Sequence, residues 1–501
     1  AAATEVAALL ERARARWREG DLPGALVDLD RVLELDPRQV DALEGRGVVK
    51  QRLGDDPGAI VDLDRALELD PSRVDALEGR GVARGRVGDH QGALADFDAA
   101  VALDPSHVDA RAGRGAVRAL LGDRQGALAD FDRVLELDPS HPLTLTNRGG
   151  MKARLGDLRG ALADLDAAVA LDPNNLMTRT NRAIVRERLG DLQGAVTDLE
   201  RAVELDPSQF QALAHRAALR ERLGDVEGAL ADFDAALLLD PNHPEALGRR
   251  GDVKRQLGDL QGALADLDAA LLRDPRRPEA LVNRSNVRML LGDLQGALTD
   301  LDAAHQLDPR HPEPLANRGS VKVLLGDLQG ALTDLDAALR LDPRHARAIA
   351  NRGTIKERLG DLHGALADLD VALLLDPLGV PVRVNRGRVK ALLGDLQGAL
   401  ADLDAVVARD PRKVDALALR GRVKLQLGDL RGALADLDRA VELDPPQADA
   451  LGDRGRVKAL LDDLQGALAD LQEALRHTAD ATREEELRQE VARLRARLAG
   501  E

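Results

Sequence analysis

Residues Val40 to Arg73 read VDALEGRGVVKQRLGDDPGAIVDLDRALELDPSR, and this stretch decides the fold. Its first part carries Leu43, Gly47 and the pair Val48/Val49 at helical spacing. Gly54 suits the left-handed position that ends a helix, and Asp55 suits the N-cap of the next one. The second part puts Ala59, Leu63, Ala66 and Leu67 on one helical face. Asp70-Pro71 then stops it, because proline cannot donate the next backbone hydrogen bond. The link between the two helices is very short, so they are expected to run antiparallel as a hairpin.

Working outward, the same stretch returns every 34 residues, fourteen times, with no insertion. Gly20, Gly54, Gly88, Gly122 and Gly156 keep the phase down to Gly428, and Asp462 takes the last place. Pro37, Pro71 and Pro105 continue in step to Pro445. A fixed period of this size means a solenoid, in which each unit buries its apolar face only against its neighbours. The expected organisation is one elongated domain of fourteen tandem repeats over residues 1–478, followed by a capping helix over 479–501. Leu487, Val491, Leu494 and Leu498 give that helix one apolar stripe, to lie on the stack with the charged face outward. Such a cap opposes head-to-tail polymerisation through that end.

The columns of the repeat resemble those of the tetratricopeptide repeat family. The resemblance rests on bulky Leu43, small Gly47, Ala59, large Leu63, Ala66 and Pro71, and it covers essentially the whole chain. Ala59 is alanine in every repeat, and the Gly47 column is always Gly, Ala or Ser. Phe97, Phe131 and Phe233 fall in the Leu63 column, where the family favours an aromatic. The resemblance implies an all-α, right-handed superhelical α-solenoid whose concave groove is lined by the first helix of each repeat. One departure stands out: the Lys50 column, usually aromatic in the family, is always basic here.

Composition narrows the function. The net charge of −17 and the scarcity of aromatics (four Phe, one Trp, no Tyr) oppose nucleic acid as the main ligand. No cysteine is present, so there is no disulfide frame and no thiolate metal site. No signal peptide and no apolar run long enough to span a bilayer is evident, so a soluble protein with no membrane partner is expected. No phosphate loop, metal spacing or nucleophile–base set stands outside the repeat pattern, so neither catalytic residues, a metal nor a cofactor are expected.

Two charged columns run through all repeats. Arg46 and Lys50 lie four residues apart and share a helix face. Asp62 and Asp64 lie on the second helix, two residues and hence about 200° apart, so they cannot both face inward. One reading is a continuous basic stripe for an anion. The preferred one is a structural salt-bridge ladder, since every cation has a carboxylate in its own repeat. It pairs Arg46 with one aspartate and sends the other to Lys50 or to the next repeat. Arg284, Arg288, Asp300 and Asp302 are the same set further along.

The variable columns of the first helix are where a ligand would be read. The column before Arg46 holds Asn147, Asn181, Asn283, Asn317, Asn351 and Asn385. An amide both donates and accepts, so a row of them can pair with successive peptide groups. The row resembles the asparagine ladder in the tetratricopeptide domain of the O-linked N-acetylglucosamine transferase. The competing reading is that Asn-Arg-Gly is a common local form of the repeat, with the asparagine bonding within its own helix. Three residues on, the column passes from Val48 and Val82 through Asp252, Asn286, Ser320 and Thr354 to Arg388, Arg422 and Arg456. This predicts a groove that is apolar at its N-terminal end and basic at its C-terminal end. The basic set of the family's carboxylate-clamp members is not reproduced in any three consecutive repeats.

Three further features stay open at this stage. His107, His141, His243, His311 and His345 share one loop column but lie a repeat apart, too far for shared metal ligation. Trp17 is either a binding anchor or a cover for the end of the stack. The invariant Gly58 column implies a close contact that the sequence does not identify.

The reading is a non-enzymatic scaffold that binds a protein or an extended peptide, with an acidic segment of the ligand at the basic end. The alternative is a structural or self-assembling repeat protein, a spacer or filament subunit, associating through its ends or outer face.

Overall fold

The computed structural model of the protein describes residues 2–445, 447–478 and 481–500. They form 29 α-helices, from Ala2–Glu19 to Ala481–Ala499, with no strand among the described residues. Helix contacts group the chain into two compact units, residues 1–241 and 242–501. Each unit is a stack of seven helical hairpins, and the second also contains the terminal helix.

In the hairpin that opened the sequence, the first helix is Val40–Arg52 and the second Asp56–Leu69. Gly54 sits at φ +85°, the left-handed conformation that reverses the chain. Asp462, in the same column, adopts φ +68° without being glycine, at some cost in backbone strain. The Asp55 carboxylate then accepts a hydrogen bond from the Gly58 N–H at 2.9 Å, capping the second helix. This bond explains the invariant glycine. A Cβ on Gly58 would stand 2.0 Å from Asp55 Oδ2, so any side chain there would expel the cap.

The core is built from small and medium side chains. Ala59, Leu63 and Ala66 are fully buried, and Ala42, Leu43 and Val49 of the first helix cluster with Ala66. Burying a leucine such as Leu63 contributes about 2 kcal/mol. Gly47 lets the helices approach, since a Cβ there would lie 2.7 Å from Leu63 Cγ. Within each unit, neighbouring first helices touch one another more than neighbouring second helices do, so the first helices form the inner side of the stack.

The terminal helix Ala481–Ala499 lays Leu487, Val491 and Leu494 against Leu451 and Leu471 of the last hairpin. Leu498, the fourth residue of the predicted stripe, stays exposed. The expected boundary at residues 479–480 lies outside the described residues.

Candidate functional site

The charged columns form one repeated bonding unit. Arg46 Nε and Nη2 donate to Asp62 Oδ2 and Oδ1 at 2.8 and 2.6 Å, a bidentate grip, while its Nη1 donates to Asp30 of the preceding repeat at 2.8 Å. Lys50 Nζ reaches the same Asp62 at 2.7 Å. Asp62 therefore takes both cations of its own repeat and is buried. Asp64 points the other way and accepts from Arg80 of the following repeat at 2.6 Å. Arg284 repeats the pattern, with Asp300 at 2.6 and 3.0 Å and Asp268 at 2.7 Å. Arg288 adds a bond to Asp300 at 2.9 Å, and Asp302 accepts from Arg318 at 2.5 Å. Arg46 and Arg284 each span two hairpins, while Lys50 and Arg288 pair within their own, so these cations are engaged within the protein and do not form an open anion stripe.

Burial on its own would push a carboxyl in this setting up. At Asp334 and Asp402 the hydrogen bonds and charges of Arg318/Lys322 and Arg386/Lys390 outweigh burial, and both pKa values fall below the ordinary carboxylate value. The guanidinium of Arg318 moves up in turn, chiefly through its hydrogen bonds to Asp334. Three repeats add a third cation where the column otherwise carries leucine or isoleucine. Arg179, in the Leu43 column, donates to the Pro173 carbonyl at 2.6 Å and lies 3.4 Å from Asp198. Arg111 and Arg383 stand in the same column. Aligning the repeats shows this substitution in the sequence, but not where the charge goes.

The variable columns meet between neighbouring first helices. Asn317 Nδ2 donates to Asn286 at 3.3 Å, Asn351 to Ser320 at 3.1 Å, and Asn385 to Thr354 at 3.1 Å. The amide nitrogens of these three thus donate to the preceding repeat rather than within their own helix. Asn317 also accepts from Arg347, and Asn385 from Arg388. The remaining three differ. Asn181 stands over Gly150, which offers no side chain to bond, and the side chains of Asn147 and Asn283 make no hydrogen bond among the described residues. The open amide groups of the row are therefore Asn147 and Asn181 in the first unit and Asn283 in the second.

The arginines at the C-terminal end are largely neutralised. Arg422 donates to Asp453 at 2.6 Å, and Arg456 bonds both Asp453 at 3.0 Å and Glu490 of the terminal helix at 2.8 Å. Arg483 of that helix approaches Asp453 at 3.8 Å. Asp453 occupies the column that holds asparagine elsewhere, so its place was visible in the sequence, whereas the contribution of Glu490 depends on how the terminal helix packs. Arg388 is the most exposed of the three, with Glu357 at 3.5 Å. A cavity of about 680 Å³ lies here, with Val384, Leu419, Arg388 and Arg422 in its wall.

The loop histidines have a local role. His107 Nδ1 accepts from the Ala110 N–H at 3.1 Å, capping the first helix of its repeat, while Nε2 meets Asp75 of the preceding repeat at 3.2 Å. His345 does the same with Ala348 and Glu313. No grouping of three or more His, Asp or Glu able to hold a metal ion occurs among the described residues. No helix is long and apolar enough to cross a membrane among them.

No curated protein matches the chain. Among solved structures the chain is similar to the Cut9–Hcn1 hetero-tetramer of the APC/C, at 14% identity over 89% of this chain and 95% of that one, with a TM-score of 0.47. It is also similar to a tetratricopeptide repeat protein from Parabacteroides merdae (23% identity, 49% and 96% covered, TM-score 0.39). Pseudomonas aeruginosa pilF matches at 18% identity over 43% of this chain and 99% of that one, with a TM-score of 0.40. The tetratricopeptide repeat family model matches residues 10–74, 78–142, 152–210, 180–246, 216–265, 249–312, 317–380, 384–448 and 418–482. With hairpins of this period and a match running from residue 10 to residue 482 with only short gaps, the chain belongs to the tetratricopeptide repeat family.

Proposed function

We propose that this chain is a non-enzymatic scaffold that binds a protein partner through an extended segment laid along its first helices. Tetratricopeptide repeats are in general protein-interaction scaffolds. The observation that carries the reading is the division of labour among columns. Residues that hold the stack (Arg46, Asp62, Gly58, Ala59) hardly vary, while the inner-side columns change from repeat to repeat. Within the Asn row, Asn147, Asn181 and Asn283 have free amides to offer a peptide backbone. Asn317, Asn351 and Asn385 take part through the carbonyl or amide capacity that their bonds to neighbours leave over. At the C-terminal end, Arg388 is the cation best able to meet an acidic residue, with Arg422 and Arg456 behind it.

A peptide selected from an extended-peptide display library tests this by fluorescence anisotropy. Asn181→Ala, Asn283→Ala and Arg388→Glu should each weaken binding, by about fivefold or more for a lost hydrogen bond or charge contact. Binding indifferent to all three overturns the groove. If no peptide is selected and light scattering grows with protein concentration, the chain is a self-assembling structural protein instead.

A further inference from the structure

The inner side of the first unit carries a pocket beside Trp17. It encloses about 330 Å³, at the small end of the range for ligand sites, roughly 300–1,000 Å³. Trp17, Leu10, Leu29 and Val48 form its walls, and Gly45 lies among them.

Four observations mark it as more than a gap in packing. First, Trp17 is the only tryptophan, and it is 43% exposed. The first helix is instead held to the stack by Val6, Leu9 and Ala13, all buried, so the indole is not what covers the end. Second, the equivalent place in the next repeat is closed: Gln51 Nε2 donates to the Gly79 carbonyl at 2.5 Å. Third, core packing does not demand glycine at Gly45. A Cβ there would make ordinary contact with Leu29 at 3.4 Å, and the same column carries Leu419. Glycine here keeps the pocket open. Fourth, the rim is charged, with a single cation left over. Arg73 is held by Asp41 and Glu44, both at 2.7 Å, and Arg14 by Glu11 at 2.7 Å. Arg18, next to the indole and exposed, makes no ion pair among the described residues.

We infer that this pocket anchors one large apolar side chain of a bound peptide, with a carboxylate on the adjacent residue meeting Arg18. The inference rests on the scaffold reading above and names what one part of that groove recognises. The indole and leucine walls desolvate the apolar group, and Arg18 supplies direction.

Since the chain has no tyrosine and no other tryptophan, indole emission reports on Trp17 alone. The probes are short capped peptides carrying Leu-Asp, Phe-Asp, Ala-Asp or Leu-Lys at the centre, each titrated against the full chain. Leu-Asp and Phe-Asp should shift the emission to the blue and saturate. Ala-Asp should bind about tenfold more weakly, for want of the buried side chain, and Leu-Lys about fivefold more weakly. Val48→Phe and, independently, Gly45→Leu should fill the pocket and abolish the shift while the helical circular dichroism is retained. Arg18→Glu should remove the preference for Asp over Lys. Emission unmoved by any probe, an equal response to all four, or undiminished binding in both filled variants overturns the pocket. A peptide that binds by anisotropy yet leaves Trp17 emission unchanged removes the pocket and leaves the scaffold. Absence of binding to any peptide, library-selected ones included, removes both.

Discussion

Arg46 holds Asp62 of its own hairpin through two nitrogens and Asp30 of the preceding hairpin through the third. The planar guanidinium fork makes this possible, and a lysine could not reproduce it. Hairpin closure and hairpin stacking thus share one side chain.

The Arg284→Met variant isolates that dual role. It strands Asp300, which is only 2% exposed, although Arg288 still bonds it at 2.9 Å. The retained bond places the expected cost at the low end of the range for breaking a buried pair, about 3 kcal/mol. Urea denaturation followed by circular dichroism measures it. A variant as stable as the parent would make the ladder dispensable. Replacing Asp300 by leucine in the same chain should recover part of the loss, because the buried charge is then gone.

Acid should loosen the stack through the same carboxylates. Asp334 and Asp402 have native pKa values below the ordinary carboxylate value, so the unfolded chain binds their protons first. Their stabilisation is complete above about pH 5, a unit above the ordinary aspartate value, and is lost as the pH falls through the unfolded and then the native value. Urea midpoints measured from pH 7 down to pH 3 should therefore drop along an acid limb. Asp334→Asn should be less stable at neutral pH and show a shallower limb. An unchanged limb in that variant would assign the acid response to other groups.

Gly58 gives a test whose sign reverses. In the native chain, Gly58→Ala drives the new Cβ into Asp55 and should cost about 1 kcal/mol, the usual value of an N-cap. With Asp55→Ala already present there is no cap to lose. The same Gly58→Ala change should then stabilise by up to about 1 kcal/mol through helix propensity. A double-mutant cycle read by thermal denaturation shows whether the sign changes.

Phe97 constrains its neighbours in a comparable way. A Cβ on Gly113 would come within 2.5 Å of Phe97 Cζ. Gly113→Asn, which inserts the residue the same column carries at Asn147, should cost about 1–3 kcal/mol by overpacking. Phe97→Leu should relieve most of that cost, since the Leu63 side chain leaves ordinary contact distances, 3.4 Å, at Gly79. Melting temperatures of the single and double variants decide it.

The hairpin was legible because its signals are local. Gly54, Asp55 and Pro71 act on the backbone within a turn of where they stand, and their period exposes them. The contact of Gly58 was hidden only because it lies with a side chain three residues away, as N-cap chemistry would have suggested. Partner choice was harder. Both Lys50 and Arg80 are cations within reach of Asp64 on paper, and the offset between successive hairpins selects Arg80. The same holds for Asn351, whose amide is used by Ser320 of the preceding repeat, and for Arg456, whose charge is met by Glu490 of the terminal helix. Such pairings depend on how elements stack, and the helical period alone does not contain that information.

Because the joints within a unit are closed by the same Arg–Asp grip, save the one where Arg220 meets Glu200, excising a whole 34-residue segment brings together surfaces that already carry matching partners. Such an array can shorten or lengthen in genetic recombination without repair at the seam. A length variant lacking, for example, residues 74–107 would rejoin Arg114 to Asp64 by the bond that Arg80 makes in the intact chain. The length of the stack within a unit is therefore a quantity that selection can adjust in steps of one hairpin, independently of what the inner columns recognise.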